Sequence, residues 1–279
     1  MKKPPRTLTV AGSAARGTAG IQADLKTFQE LDTYGMSVVT AIVATHPKTK
    51  QNVYPQTIEA IEAQFATAEM QVGFDALKTG MLFSKEVIEK TAELITEADV
   101  TNIVVDPVMV GKIGSKLLKN DAIEALKEKL IPLATVITPN MIEASILLDD
   151  RPLHTAEDLK QAAIDLHELG AQYVLVKGGR LQGPAVDVLF EGENITVFEA
   201  PRIDTVNTNG AGCTYSAAIA AFLAKELPIH DAVLKAKSYI TTAIQHSFSY
   251  TDIVGPTYHA AERKFGEAHS IIVKTESVS

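Results

Sequence analysis

The chain has 279 residues, of which 46% are hydrophobic and 22% charged, so it can form one large domain or two small ones with an ordinary core. Its net charge of −8 argues against nucleic acid as the main partner, and its one cysteine excludes an intramolecular disulfide and fits a reducing compartment. No apolar run approaches the about 18 residues of a membrane span or the pattern of a signal peptide, so we expect a cytoplasmic protein.

Short apolar runs alternate with longer amphipathic or alanine-rich segments. The runs, each predicted to be a strand, are residues 8–12, 37–44, 75–81, 102–108, 134–140 and 173–179. The segments predicted to be helices are residues 21–31, 57–70, 84–98, 120–130 and 155–169, with N-caps at Ser84 and Thr155. Continuous apolar runs are typical of strands buried on both faces. The repetition of strand and helix therefore favours an α/β fold with a doubly wound, mostly parallel sheet.

The last third of the chain has a different pattern. Residues 185–192 and 194–200 flank Gly192-Glu193, which predicts an antiparallel hairpin on one edge of the sheet. Two helices are predicted after it, over about 213–225 and 230–247. Residues 271–278 fit either a final strand or a frayed end.

Polar residues follow several of the predicted strands at their ends, where open α/β sheets bind ligands. Asp106, Asn140 and Glu143 offer oxygen or amide ligands of a kind that Mg²⁺ accepts. Lys177-Gly178-Gly179 offers a cation and a bare backbone to a phosphate group. Each pattern alone also fits an ordinary turn. Their occurrence on one predicted rim favours a ligand site.

The segment Gly210-Ala211-Gly212-Cys213 precedes an alanine-rich helix and contains the one cysteine. Two glycines let backbone N–H groups turn inward and, with the helix dipole, form an anion site; the alternative is a tight turn with close helix packing. A helix N-terminus lowers the pKa of a thiol, which predicts an available thiolate at Cys213. A free cysteine is equally often a small buried apolar residue, and the residues alone leave both interpretations open.

Taken together, these segments resemble the hydroxymethylpyrimidine/pyridoxal kinase branch of the ribokinase-like superfamily over nearly the whole length. The resemblance is carried by "AGSAARGTAGIQADLKTFQELDTYGM", "KTGML", "VVDPVMVGK", "VITPNMIEA", "VLVKGG", "AVDVLFEG", "NTNGAGCTYSAAIAA" and "VGPTYHAAE". It implies a single ribokinase-like kinase domain over residues 1–279, with an edge hairpin and a lid loop. The implied reaction transfers the γ-phosphoryl group of ATP, with Mg²⁺, to a hydroxymethyl group on a pyrimidine or pyridine ring. Similar proteins are usually homodimers, and a role for K⁺ is left open.

The resemblance also implies a role for individual residues. The catalytic residues that it implies are Cys213, Gly210 and Gly212. The residues that it places near ATP are Lys177, Gly178, Gly179, Asp187, Asn209, Ala211 and Thr214. Those on the metal side are Asp106, Glu143 and Asn140. Those around the acceptor ring are Gly12, Asp24, Thr45, Met81 and Val108, with Lys112 on the flap that closes over the site. Cys213 would either take the proton of the acceptor hydroxyl or polarise it, or add reversibly to the aldehyde of pyridoxal.

The sequence departs from the family pattern in three segments. The first loop, usually Gly-Ser-Asp-Ser-Ser/Ala-Gly-Gly-Ala-Gly, has Ala14-Ala15-Arg16 at its centre, which removes an acid and a hydroxyl and adds a cation. Asn209 stands where histidine is common, while the flap keeps Lys112. Thr45 stands where hydroxymethylpyrimidine kinases commonly have a glutamine, and the loss of that amide favours the pyridoxal type.

The sequence therefore supports three hypotheses. The leading one is a vitamin B6 kinase that phosphorylates the 5′-hydroxymethyl group of pyridoxal, pyridoxine or pyridoxamine. The second is a hydroxymethylpyrimidine kinase of thiamin biosynthesis. The third is a catalytically impaired ligand-binding relative, for which Ala14-Ala15-Arg16 is the main argument and the retention of Asp106, Glu143, Lys177 and Cys213 is the main objection.

Overall fold

The structure is a computed structural model that describes residues 3–46, 48, 52–111, 117–266 and 268–278. Within these residues ten strands form one sheet in the order β10-β9-β8-β7-β6-β5-β4-β1-β2-β3. The strands are Arg6–Ala14 (β1), Tyr34–Val43 (β2), Val53–Pro55 (β3), Ala76–Thr79 (β4), Ile103–Val105 (β5), Val136–Ile137 (β6), Tyr173–Lys177 (β7), Ala185–Phe190 (β8), Asn194–Ala200 (β9) and Ile272–Ser277 (β10).

The helices cover both faces of this sheet. They are Ile21–Glu30 (α1), Ile58–Gln71 (α2), Lys85–Glu97 (α3), Asn120–Ala125 (α4), Met141–Leu147 (α5), Ala156–His167 (α6), Ala211–Ala224 (α7), Ile229–Gln245 (α8) and Ala261–Phe265 (α9). Helix α4 continues through a π-helical segment, Leu126–Leu130, and a 3₁₀ turn, Ile131–Leu133, so the predicted helix over 120–130 is present with a wider second half.

Strands β2, β1, β4, β5, β6 and β7 are parallel, and β3, β8, β9 and β10 are antiparallel additions. The predicted doubly wound, mostly parallel sheet is thus confirmed. The predicted hairpin forms as β8 and β9, but β10 pairs with β9 and takes the edge position. The undecided C-terminal segment is therefore a strand, with charged side chains that protect the edge from pairing with other chains.

Successive residues of the strands pack alternately into two separate hydrophobic cores, one on each face of the sheet. In β5, Ile103 and Val105 pack on one face with α2, α3 and α6, while Val104 packs on the other with α7 and α8. Helix α7 is buried almost all round because it lies between the sheet and α8, and this explains its alanine-rich sequence. The helix N-termini consequently follow the carboxyl ends of the parallel strands at one rim.

One helix near the site was not predicted. Residues 141–147 form α5, because Asn140 is an N-cap whose side chain accepts hydrogen bonds from the backbone N–H groups of Ile142 and Glu143. The predicted strand over 134–140 accordingly shrinks to two residues, β6. The signal was present in the sequence as an Asn-x-x-Glu pattern that fits a capping box.

Among the described residues, no helix combines the length and the hydropathy that crossing a membrane requires.

Candidate active site

Lys177 and Asp106 form the centre of the rim. The Lys177 Nζ lies 3.1 Å from Asp106 Oδ1, and both side chains are buried. Ser216 donates to the second oxygen of Asp106 at 3.1 Å. Burial opposes ionisation of Asp106, but the nearby Lys177 and Lys78 ammonium groups outweigh it, so the pKa of Asp106 is lowered. The sequence placed a carboxylate and a cation at this rim, and the structure brings them into contact.

Glycines at the start of α7 bring its N-terminus close to this pair. Gly210 has φ of +79°, and a Cβ there would lie 1.9 Å from the carbonyl oxygen of Thr18, so this turn accepts only glycine. A Cβ on Gly212 would lie 3.3 Å from Lys177 Nζ, which locates the ammonium group beside the first turn of α7. The first N–H groups of a helix have no partner within it. A cation and free backbone donors therefore face the same space, as an anion site requires.

The loop that precedes α7 is held by two other segments. Asn209 donates from Nδ2 to Thr18 Oγ1 at 3.0 Å, and its backbone N–H donates to the carbonyl of Gly255 at 3.1 Å. Thr214, one turn into the helix, lies 3.1 Å from His259 Nε2. The His259 ring is buried, which lowers its pKa to about 4 and keeps it neutral at physiological pH. Hydrogen bonds with the late segment "VGPTYHAAE" therefore hold both the anion loop and the first turn of α7 in place.

Glu143 and Asn140 act first as a capping pair. Glu143 Oε2 accepts the backbone N–H of Asn140 at 2.9 Å, and Asn140 Oδ1 accepts two N–H groups of α5. Burial raises the pKa of Glu143 to about 7, against the opposing effect of Lys177. The described residues contain no group of three or more histidine, cysteine, aspartate or glutamate side chains arranged to hold a metal ion. A role of Asn140 and Glu143 as metal-side residues stays a prediction.

Cys213 is half-buried at the start of α7. Burial raises the pKa of its thiol to about 11; the Lys78 ammonium and a hydrogen bond from the Gly20 backbone act in the opposite direction. The expected lowering by the helix N-terminus is therefore wrong for this structure, because desolvation outweighs the favourable electrostatics. The sulfur is present as a neutral thiol at physiological pH.

Asp24 lies beneath the site in an ion pair that the sequence did not predict. Its Oδ2 accepts from Lys78 Nζ at 3.0 Å and from Thr9 Oγ1 at 2.7 Å. Both charged side chains are completely buried. The carboxylate raises the pKa of Lys78, against the lowering effect of burial. In this structure Asp24 has no exposed surface, so contact of Asp24 with an acceptor ring stays a prediction.

The other residues expected around the acceptor ring lie at the ends of β1, β2, β4 and β5. A Cβ on Gly12 would lie 2.5 Å from Met81 Cε, so these two residues touch. Val108 is half-buried two residues after Asp106, and Thr45 is exposed beyond β2. Lys112 lies outside the described residues.

Hydrogen bonds to other parts of the protein hold the first loop, whose sequence differs from the family pattern. Gln22 accepts the backbone N–H of Ala14 at 2.8 Å and donates to Ser13 Oγ at 2.7 Å. The exposed Arg16 donates to the carbonyl of Val254 at 3.2 Å. Gln22 was missed by the sequence analysis, and its partners could be found only from the folded loop. The guanidinium group of Arg16, which the family pattern lacks, is thus directed toward the backbone of Val254.

Asp187 is buried behind the residues that follow Lys177. Its Oδ1 accepts the N–H of Gly178 at 3.0 Å, and its Oδ2 accepts from Lys237 Nζ at 2.5 Å. Lys237 lies on α8 and was not among the expected site residues. Both oxygens of Asp187 are therefore engaged by the protein, and its side chain orients the backbone at Gly178.

The chain is similar to known kinases over most of its length. The family model "Phosphomethylpyrimidine kinase" matches residues 15–258. A pyridoxine kinase of Bacillus subtilis is 49% identical over 92% of this chain and 97% of its own length. A hydroxymethylpyrimidine/phosphomethylpyrimidine kinase of Streptomyces coelicolor is 43% identical over 92% of this chain and 94% of its own length. The structure of the Staphylococcus aureus pyridoxal kinase with AMP-PCP and pyridoxal has a TM-score of 0.90 and 37% identity, covering 99% of this chain and 100% of that one.

Proposed function

This chain belongs to the phosphomethylpyrimidine kinase family, and from that premise we propose that it is an ATP-dependent kinase of the 5′-hydroxymethyl group of pyridoxal, pyridoxine or pyridoxamine. The observation that carries the proposal is the position of the Lys177 ammonium group between Asp106 and the first turn of α7. The 49% identity to a pyridoxine kinase over 92% of the chain supports the choice of acceptor.

Phosphoryl transfer needs positioning and stabilisation of the charge that develops on the transferred group. Lys177 and the backbone N–H groups of Gly212 and Cys213 supply donors that are already in place before ATP binds. Asp106 holds Lys177 in position through the 3.1 Å ion pair. The described residues thus stabilise the phosphoryl oxygens without having to rearrange.

The carboxylates fit Mg²⁺ when the ion is bound mainly through water and the phosphates of ATP. Mg²⁺ is usually held in this way by one or two carboxylates. Glu143 accepts hydrogen bonds from the backbone of Asn140 and Met109, and its pKa of about 7 allows it to ionise as a cation approaches. Asp106, Glu143 and Asn140 would be the residues that hold the ion, which would neutralise charge on the phosphates.

Cys213 is the residue proposed to meet the acceptor hydroxymethyl group. Its thiol is neutral in the free protein, since its pKa is about 11. Removal of a proton from the acceptor, or addition of sulfur to the pyridoxal aldehyde, therefore requires that bound ligands lower this pKa. Lys78 is the buried cation that acts in this direction.

A second candidate acceptor is hydroxymethylpyrimidine. It is favoured by the description of the matching family and by the S. coelicolor relative, which is 43% identical over 92% of this chain. The two candidates share the nucleotide site and differ only in the ring. The chain is further proposed to act as a homodimer, with residues 1–279 forming a single kinase domain.

The test is to incubate the purified protein with Mg·ATP and each acceptor separately and to measure ADP release. Turnover with pyridoxal, pyridoxine or pyridoxamine is expected. If only hydroxymethylpyrimidine gives turnover, the proposed acceptor is wrong and the second candidate is correct. Binding of either ring with no ADP release above the Lys177→Ala variant would identify an inactive, ligand-binding relative.

A further inference from the structure

Residues 178–184, here called the glycine loop, follow β7 directly after Lys177. The inner end of this loop is rigidly fixed. The N–H of Gly178 donates to the carbonyl of Val186 at 2.9 Å and to Asp187 at 3.0 Å. A Cβ on Gly178 would lie 2.5 Å from both Leu159 Cδ1 and the carbonyl oxygen of Val186, so no larger residue fits there. The rest of the loop is largely exposed and needs another source of order.

Hydrogen bonds from the Arg202 side chain hold the exposed part of the glycine loop. Its guanidinium group donates from Nη1 to the carbonyl of Gly179 at 2.9 Å and from Nε to that of Gly183 at 2.5 Å. Its Nη2 donates to Leu181 at 2.7 Å and to Pro184 at 3.2 Å. One side chain thus binds four carbonyl groups of a single loop. The planar fork of arginine suits this arrangement, whereas a lysine ammonium group would not reproduce it.

Capture of these carbonyl groups also orients the peptide N–H groups of the loop. A trans peptide unit is planar, and its C=O and N–H point in opposite directions. The N–H groups of Arg180 and Gln182 belong to the peptide units whose carbonyls Arg202 binds, so they are directed away from the guanidinium group. Neither of them donates a hydrogen bond to any residue in the described part of the chain. Aligned, unpaired N–H groups attract an anion.

The place of Arg202 in the chain connects this loop to the anion site. Arg202 lies two residues beyond the end of β9 and eight residues before Gly210, in the segment that leads into α7. Its side chain therefore ties the segment that enters α7 to the loop that follows Lys177. The contact therefore links the loop that follows Lys177 to the segment that leads to Gly212, beside which Lys177 Nζ lies.

We propose that Arg202 is a positioning residue for the nucleotide: it holds the glycine loop so that the loop's free N–H groups can bind the phosphates of ATP or ADP. The proposal rests on the kinase function proposed above. A purely structural role is the alternative, because four hydrogen bonds also stabilise a loop that binds nothing. The two roles differ in whether loss of Arg202 affects nucleotide selectively.

The test compares Arg202→Ala and Arg202→Lys with the wild type by titration with ADP and, separately, with pyridoxal. Both variants are expected to raise the Kd for ADP by about tenfold or more, which is the effect of losing one charge-assisted interaction. The Kd for pyridoxal and the thermal midpoint of Arg202→Lys are expected to change little. Added guanidinium ion is expected to recover part of the ADP affinity of Arg202→Ala. The matched control is Arg263→Ala, which removes a surface guanidinium bound to Glu30.

Three results would overturn the proposal: an ADP affinity of Arg202→Lys equal to that of the wild type, equal weakening of ADP and pyridoxal, or a similar effect of Arg263→Ala. If neither Arg202 variant folds, hydrogen exchange of the wild type decides. ADP must then slow exchange of the amides of Arg180 and Gln182, and unchanged exchange there refutes the role. A wild type that binds ADP but releases none from ATP with any acceptor contradicts the kinase function while leaving this contact testable.

Discussion

At the scale of single residues, the sulfur of Cys213 shows how burial and a helix N-terminus compete. The N-terminus of α7 and the Lys78 ammonium favour a thiolate, while loss of water around the sulfur disfavours it. Burial is the stronger effect, so the pKa rises to about 11. We therefore expect a cysteine in this position to react slowly until a ligand changes its surroundings.

This argument predicts the pH dependence of cysteine alkylation. The iodoacetamide labelling rate of the free protein is expected to rise with pH until about pH 11, since only the thiolate reacts. Near pH 8 it should be slower than in the urea-unfolded chain by on the order of 10²-fold, because each pKa unit reduces the thiolate fraction tenfold. Mass spectrometry measures the rate, and the one cysteine of the chain makes the added mass unambiguous. A rate that levels off below pH 9 would contradict the raised pKa.

The buried pair of Asp24 and Lys78 is a second residue-scale feature. Removal of one partner leaves an uncompensated charge in the interior and is strongly destabilising, even where the pair itself contributes little. Asp24 Oδ1 is completely buried without a hydrogen-bond partner in the structure. Burial of the pair is thus costly, and both of its charges act electrostatically on the Cys213 thiol.

At the scale of elements, the helix N-termini connect stability to function. In this fold every helix that follows a parallel strand begins at the ligand-binding rim. Asn140 and Glu143 form the cap of helix α5. Asn140 also pairs with Lys177 in a parallel β-bridge, so this cap lies beside Lys177. Helix α2 is capped by Thr57, two residues beyond the edge strand β3. We therefore expect the cap of α5 to affect the site as well as stability, and the cap of α2 to affect stability alone.

A comparison of Asn140→Ala with Thr57→Ala tests this distinction. Each change is expected to lower the free energy of unfolding by about 1 kcal/mol, because a capping side chain no longer satisfies helix N–H groups. Only Asn140→Ala should raise the KM for ATP, since the Asn140 side chain also holds the backbone N–H of Glu143 next to Lys177. Urea unfolding and steady-state kinetics provide the two measurements. An unchanged KM in Asn140→Ala would separate the α5 cap from the nucleotide site.

At the scale of the whole molecule, the sheet collects groups that are far apart in sequence. Asp106 follows β5, Lys177 ends β7 and Ser216 lies on α7, and Asp106 contacts each of the other two at 3.1 Å. Two hydrophobic cores on opposite faces of the sheet hold these elements in register. A ligand that binds at this junction contacts several elements together and stabilises the folded chain as a unit.

Nucleotide binding is therefore expected to stabilise the entire protein. A ligand that binds only the folded state at about 100 times its Kd adds ~2.7 kcal/mol to the free energy of unfolding. Mg·ADP should produce this increment in urea unfolding, and the same increment in Thr57→Ala, because distant changes add. A smaller increment in Thr57→Ala would show that the α2 cap is coupled to the nucleotide site.

The sequence by itself determined the parallel strands, the hairpin, most helices and the stretch that starts α7, but not the edge strands β3 and β10. These features depend on local rules: apolar runs, capping patterns and paired glycines act over a few residues and can be seen in one sequence. The resemblance carried by the segments around Asp106, Lys177 and Cys213 identified the family, which the comparisons confirm. The capping box at Asn140 could have been identified and was missed because its residues were interpreted as metal ligands.

Only the tertiary structure decided which charges meet and how they are solvated. The partners of Asp24, Asp187 and the glycine loop are Lys78, Lys237 and Arg202, which lie 54, 50 and up to 23 residues away in the sequence. The pKa of Cys213 depended on the same information, because the water lost around a sulfur is set by every element packed against it. Pairing and burial are properties of the folded chain, since they arise from contacts that no local sequence pattern specifies.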